Sequence, residues 1–150
     1  MPKQYKKGFT AGVFDLFHVG HLNLLRNCKE TCEYLMVGVL TDDFVYQMKG
    51  EYPYITLADR MEIISSIIYV DEVVPVDYHN THKPTAWHLY HFDCCYSGDD
   101  HEHEECWKQE ATQLRMLGCE MVFLPYTQRV SSSLIKEKIK NNRNSGSEKQ

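Results

Sequence analysis

Apolar positions along the chain fall into short unbroken runs separated by stretches of helical spacing, and the two kinds alternate almost from end to end. Gly8 to Phe14 reads as a short buried strand that passes straight into Asp15-Leu16-Phe17-His18-Val19-Gly20-His21. Leu22, Leu25, Cys28 and Cys32 then recur near the period of a helix. Tyr34 to Leu40 is a continuous apolar run, the pattern of a strand covered on both faces. A polar segment around Lys49 to Tyr54 precedes a predicted helix over Leu57 to Ile68, with Met61, Ile64 and Ile68 on one face, and a strand over Glu72 to Val76. Further helices are predicted near Pro84 to His91, Glu102 to Leu117 and Ser131 to Lys140, and further strands over Phe92 to Tyr96 and Cys119 to Leu124.

Strands alternating with helices at this spacing predict an α/β fold, a Rossmann-like three-layer α/β/α arrangement around a five-stranded parallel sheet. In such sheets ligands bind outside the carboxyl ends of the strands. A length of 150 residues suits a single core. Residues 1–140 read as one domain and residues 141–150, which hold no apolar side chain, as a disordered polar tail.

Composition mainly excludes. With 43% hydrophobic and 25% charged residues the chain is an ordinary globular one. A net charge of -5 argues against gripping a nucleic-acid backbone, which needs many Lys and Arg on phosphates. No run approaches the roughly 18 apolar residues of a membrane span. The apolar stretch after Lys3, Lys6 and Lys7 is broken at once by Asp15 and His18, so no signal peptide is read and a cytoplasmic location is expected. Cys28, Cys32, Cys94, Cys95, Cys106 and Cys119 then read as reduced structural thiols, with no C-x-x-C pair to suggest zinc or redox chemistry.

The most informative segment is Gly12-Val13-Phe14-Asp15-Leu16-Phe17-His18-Val19-Gly20-His21. A strand there delivers the chain to a helix N-terminus, where free backbone N–H groups and the positive end of the dipole favour anions. His18 and His21 stand three apart, so in a helical turn both imidazoles leave from one face and aim two donors at one spot. Gly20 removes a Cβ between them. An isolated H-x-x-H pair would equally fit a capping feature or half a zinc site.

In its setting, however, G-V-F-D-L-F-H-V-G-H resembles the H-x-G-H signature of the cytidylyltransferase-like nucleotidyltransferases. Three further segments extend the resemblance in the family's order. Tyr69-Val70-Asp71-Glu72-Val73 is similar to its R-Y-V-D-E-V, Gly98-Asp99-Asp100 to its G-D-D, and Pro125 to Ser133 to its R-T-E-G-I-S-T-T. Length and the G-D-D pattern are most similar to the glycerol-3-phosphate cytidylyltransferase branch.

The resemblance implies transfer of CMP from CTP to a small phosphate ester, with release of pyrophosphate and with Mg²⁺ bound through the triphosphate. It implies catalytic roles for His18, His21 and Lys49, the last in the loop after the second strand. Around the nucleotide it implies Gly12, Val13, Phe14, Asp15, Gly20, Asp99, Asp100, Tyr126, Thr127, Gln128, Val130, Ser131 and Ser132. Lys83, in a histidine-rich stretch with His79, His82, His88 and His91, is assigned to the acceptor's phosphate, together with Arg129. No nucleic acid or membrane partner is expected, and a homodimer is implied by the resemblance alone.

The departures are specific. Tyr126 stands where the family's third motif opens with arginine, Arg129 where it has glycine, and Ile68 where arginine precedes Y-V-D-E-V. An adenylyltransferase of the same family and a nucleotide-binding sensor without turnover are the alternatives. A nicotinamide dehydrogenase is disfavoured because no G-x-G-x-x-G follows the first strand. His101 to Cys106 offers metal-ligand types but reads as a solvated acidic helix start.

Overall fold

Five strands pair in parallel throughout: β1 (Tyr5–Gly12), β2 (Cys32–Leu40), β3 (Glu72–Val76), β4 (Cys94–Gly98) and β5 (Glu120–Leu124). Their spatial order is β3-β2-β1-β4-β5. The chain therefore builds outward from β1 to β3, then crosses back to lay β4 on the other side of β1. That reversal makes a crevice between the carboxyl ends of β1 and β4, the place where open α/β sheets bind ligands. The computed structural model describes residues 3–98, 104–125 and 132–148.

Six helices complete the described chain: α1 (Val19–Thr31), α2 (Asp42–Lys49), α3 (Leu57–Ser65), α4 (Lys83–Tyr90), α5 (Glu105–Met116) and α6 (Ser132–Glu148). Strand β2 shows why the sheet needs helices on both sides. Leu35, Val37 and Val39 pack with Leu25 and Cys28 of α1 and Ile64 of α3. Met36 and Leu40, alternating with them, pack with Phe44 and Val45 of α2, Ala86 of α4 and Leu114 of α5. Period-two alternation with both faces apolar gives the unbroken run seen in the sequence. The architecture is the expected three-layer α/β/α fold.

Helix α2 fills Asp42 to Lys49, a stretch for which no element is predicted, and the polar segment read from Lys49 onward begins at its last residue. Thr41 caps it, with its Oγ accepting the Phe44 N–H at 3.3 Å, Asp42 and Asp43 occupy the first turn and Lys49 the last. Gly50 closes it at φ 76, a left-handed cap that glycine takes without strain. Lys49 is consequently the last helical residue and not a loop residue. Helix α3 ends at Ser65, so Ile68 leaves the buried face assigned to it and is 86% exposed. Cys32 opens β2 instead of closing a helix. Helix α6 runs through residues 141–148, where the polarity pattern predicts a disordered tail. That stretch has no proline, and extending a formed helix adds a hydrogen bond for each residue fixed.

Candidate active site

The turn from β1 into α1 is built around one buried carboxylate. Asp15, 1% exposed, accepts the Tyr54 N–H at 2.9 Å, the Ile55 N–H at 3.0 Å and the Leu16 N–H at 3.1 Å. Lys136 of α6 places its Nζ 3.1 Å from the same group. Burial by itself would raise the Asp15 carboxyl, but the bonds from Tyr54, Lys136 and Ile55 hold it below its ordinary value. On either side, Phe14 and Leu16 have left-handed backbones at φ 54 and φ 50. Such a conformation costs a non-glycine residue roughly 1–2 kcal/mol. The bonds to Asp15 offset that strain and fix the turn.

A second clamp comes from Arg60 of α3, which is fully buried. Its guanidinium donates to Val13 O at 2.7 Å, to Ile55 O at 2.8 Å and to Asp42 Oδ1 at 2.6 Å. The start of the turn, the segment before α3 and the start of α2 thus meet on one cation. Gly12 lets the turn close further, because a Cβ there would lie 3.1 Å from the Phe14 ring. Phe14 in turn sets its ring edge-on to His21, with centroids 5.4 Å apart.

His18 and His21 are brought together, though not as two residues on one helical face. His18 is the N-cap of α1, with extended backbone angles, and its Nδ1 accepts the Gly20 N–H at 3.0 Å. The His18 N–H donates to His21 Nδ1 at 3.3 Å. The rings stack with centroids 3.9 Å apart, and Phe17 lies 5.4 Å from His21. With each Nδ1 occupied as an acceptor, a neutral imidazole must carry its proton on Nε2. Burial pushes His21 down to about 4, with His18 adding to the fall and Asp15 opposing it. Burial also lowers His18. Both rings are therefore neutral Nε2–H donors near pH 7, and His18 Nε2 is buried without a partner among the described residues. A buried polar atom in that state is stabilised by a ligand that accepts a hydrogen bond from it.

The other expected site residues are distributed differently. Val13, Phe14, Asp15 and Gly20 lie in this turn, but Asp15 and Gly20 spend the contacts described above on protein partners. Lys49 stands exposed at the end of α2. Lys83 is 9% exposed at the start of α4, its Nζ 5.0 Å above the Trp107 ring of α5 and its N–H on Glu110 at 3.2 Å. Ser132 is the first residue of α6. Asp99, Asp100, Tyr126, Thr127, Gln128, Arg129, Val130 and Ser131 lie outside the described residues, as do His101, Glu102 and His103.

Among the described residues no group of three His, Cys, Asp or Glu side chains gathers to hold a metal. Five cysteines are buried, and burial pushes Cys95 up to about 11 and Cys119 up to about 12, which removes thiolate chemistry from the core. An open hollow of about 330 Å³ lies at the amino edge of the sheet, lined by Tyr5, Asp93 and Glu120. Tyr5 and Glu120 are bonded to each other there, and the hollow carries none of the chemistry of the turn.

Arg60 and Lys136 escape a sequence reading. Arg60 nevertheless leaves a signal, because it shares the helical face of Leu57 and Ile64 at spacings of three and four, a position for a core residue. Lys136 leaves none, being one lysine in a basic helix.

The chain is similar in sequence and in fold to known proteins. The Cytidylyltransferase-like family model matches residues 9–138. Glycerol-3-phosphate cytidylyltransferase of Bacillus subtilis (strain 168) is 37% identical over 134 residues, covering 89% of this chain and 97% of that protein. Ethanolamine-phosphate cytidylyltransferase of Dictyostelium discoideum is 45% identical over 67 residues, covering 44% of this chain and 19% of that protein. Among solved structures, the lipopolysaccharide core biosynthesis protein from Thermoplasma volcanium GSS1 superposes with a TM-score of 0.67 at 21% identity, covering 84% of this chain and 99% of that one. That likeness bears on the fold alone.

Proposed function

The chain belongs to the cytidylyltransferase-like family, and on that premise we propose that it transfers CMP from CTP to glycerol 3-phosphate or a closely related small phosphate ester, releasing pyrophosphate. The observation that carries the reading is the stacked pair of imidazoles, each accepting a backbone N–H on Nδ1 so that a neutral ring carries its proton on Nε2. A phosphate oxygen bound there accepts without first displacing a proton, and it gains charge as the reaction proceeds.

An anionic oxygen of the acceptor's phosphate attacks the α-phosphorus of CTP in line, the bond to the β-phosphate oxygen breaks, and pyrophosphate leaves. No protein nucleophile is required, because the attacking group is already anionic. Catalysis then consists of positioning and of donors preorganised toward the developing charge. His18 and His21 donate to the phosphate at the reacting centre. Lys49, Ser131 and Ser132 are assigned to the triphosphate, Asp99, Asp100, Tyr126, Thr127, Gln128 and Val130 to the rest of the nucleotide, and Lys83 with Arg129 to the acceptor. Mg²⁺, when bound, neutralises charge on the triphosphate. Asp15 is already occupied by protein donors, which suits an ion carried by phosphate oxygens and water in place of a protein cage. No described helix is long and apolar enough to cross a membrane. A cytoplasmic setting and a homodimer belong to the same proposal.

Pyrophosphate release measured with CTP, ATP, GTP and UTP against glycerol 3-phosphate, ethanolamine phosphate, choline phosphate and sugar phosphates tests it. The expected outcome is fastest turnover with CTP and glycerol 3-phosphate. Preference for ATP would reassign the chain to adenylyl transfer, and binding of CTP without pyrophosphate release from any pair would make it a sensor.

A further inference from the structure

Among the described residues, Lys136 ties helix α6 to the site turn. Lys136 is 22% exposed at its side chain and meets a carboxylate that is 1% exposed, and its ammonium also lies 5.3 Å from the Tyr54 ring. The carboxylate is the one that holds Tyr54 and Ile55 and stands three residues before His18. A second described ion pair of α6, Lys140 with Glu51 at 3.9 Å, is exposed on both sides and contributes little. Ser132 opens α6 one helical turn before Lys136, so the helix start lies only about 6 Å along the axis from the ion pair. A cation this close to a helix N-terminus gains nothing from the helix dipole, so the partner accounts for its placement.

We propose that the Lys136–Asp15 pair is the latch that docks α6 on the His18/His21 turn, making Lys136 a positioning residue for the nucleotide-binding side of the site. The inference rests on the CMP-transfer reading for its kinetic consequence but not for its structural one. Lys136 holds the turn and the first turn of α6 in one frame, so nucleotide meets a preassembled cradle. Without it, CTP binding must itself bring α6 into place, and the cost falls on affinity.

The test combines kinetics with amide exchange. In Lys136→Met, the KM for CTP should rise about tenfold or more while kcat at saturating CTP stays within about threefold of wild type. Lys136→Arg should restore most of the KM, and Lys140→Met should change neither constant. In the wild-type protein without ligand, the amides of residues 135–140 should open together with those of Tyr54 and Ile55, and in Lys136→Met the first group should lose protection at least about tenfold. An unchanged KM and unchanged exchange in Lys136→Met would overturn the latch. A fall in kcat at constant KM would also overturn it, by placing the ammonium on the reacting phosphates. Should Lys136→Met not fold, independent opening of the two segments in wild type would overturn the proposal and joint opening would support it. Absence of turnover by wild type would defeat the CMP-transfer reading alone, because exchange in the unliganded protein still decides the latch.

Discussion

The two edges of the parallel sheet use the same kinds of polar side chain to opposite ends. At the amino edge they occur in finished pairs. Tyr34 donates to Glu72 at 2.6 Å, Lys29 pairs with Asp71, Tyr5 with Glu120, and Asp71 also accepts the Leu35 N–H at 2.7 Å. The hydrogen bond to Glu72 pushes the Tyr34 hydroxyl up to about 12, so it stays a donor at any physiological pH. The Y-V-D-E-V segment thus joins β3 to β2 in this chain. At the carboxyl edge, Asp15 and Arg60 are saturated in the same way, but the groups they position are not: two neutral imidazoles present Nε2–H, and one of those atoms is buried without a described partner. Saturated polar groups build the fold, and a donor held in place with its proton uncommitted makes a site.

The sharpest way to break this comparison is at the histidines. His18→Ala or His21→Ala should lower kcat by about 10²- to 10³-fold, the usual cost of one preorganised donor, in proteins that still unfold cooperatively. A loss below about tenfold would return the pair to a capping role. Next comes the saturated layer beneath them. Arg60→Met leaves two carbonyls and Asp42 without their partner, and urea unfolding should show a loss of about 3 kcal/mol. Because Val13 O is one of those carbonyls, kcat/KM should fall too, whereas a stability loss with intact kinetics would uncouple the clamp from the site.

Acid separates the two edges further. His21 titrates near 4 in the folded chain and near 6.5 when unfolded. The unfolded state therefore binds the extra proton first as pH falls, so the stability contributed by keeping His21 neutral is complete above about pH 6.5 and lost progressively toward pH 4. The loss reaches about 3 kcal/mol at most. Urea midpoints at pH 7 and pH 4.5 should differ less in His21→Gln than in wild type, and equal differences would mean that His21 titrates normally. The smallest effect belongs to the amino edge. Tyr34→Phe should cost less than about 1 kcal/mol and leave kcat and KM unchanged, since its partner is a surface carboxylate. A kinetic defect there would mean that the two edges are coupled.

Much of the fold was legible because it depends on neighbours in sequence. The unbroken run over Tyr34 to Leu40 and the alternation around it already specify a parallel sheet with helices on both faces. Even α2, missed on hydrophobic periodicity, carries Thr41, two acidic residues, Lys49 and Gly50 as start and stop signals, and capping chemistry would have found it. The H-x-G-H spacing likewise brings His18 and His21 together within four residues, through a cap formed locally.

The layers of the sheet, the helix start after β1 and the pair of imidazoles at it all follow from periodicity and from contacts a few residues apart. What those groups are chemically depends instead on the folded chain. Asp15 reads as a ligand until Tyr54, 39 residues away, and Lys136 close on it and make it a joint. Arg60 lies on the core-facing side of its helix, but the carbonyl that Val13 lends it comes from 47 residues away. His21 is neutral because Phe14, Phe17 and His18 surround it and exclude water. Protonation and hydrogen-bond saturation depend on solvent exclusion and on partners distant in sequence, and both exist only once the sheet has brought those segments to one edge.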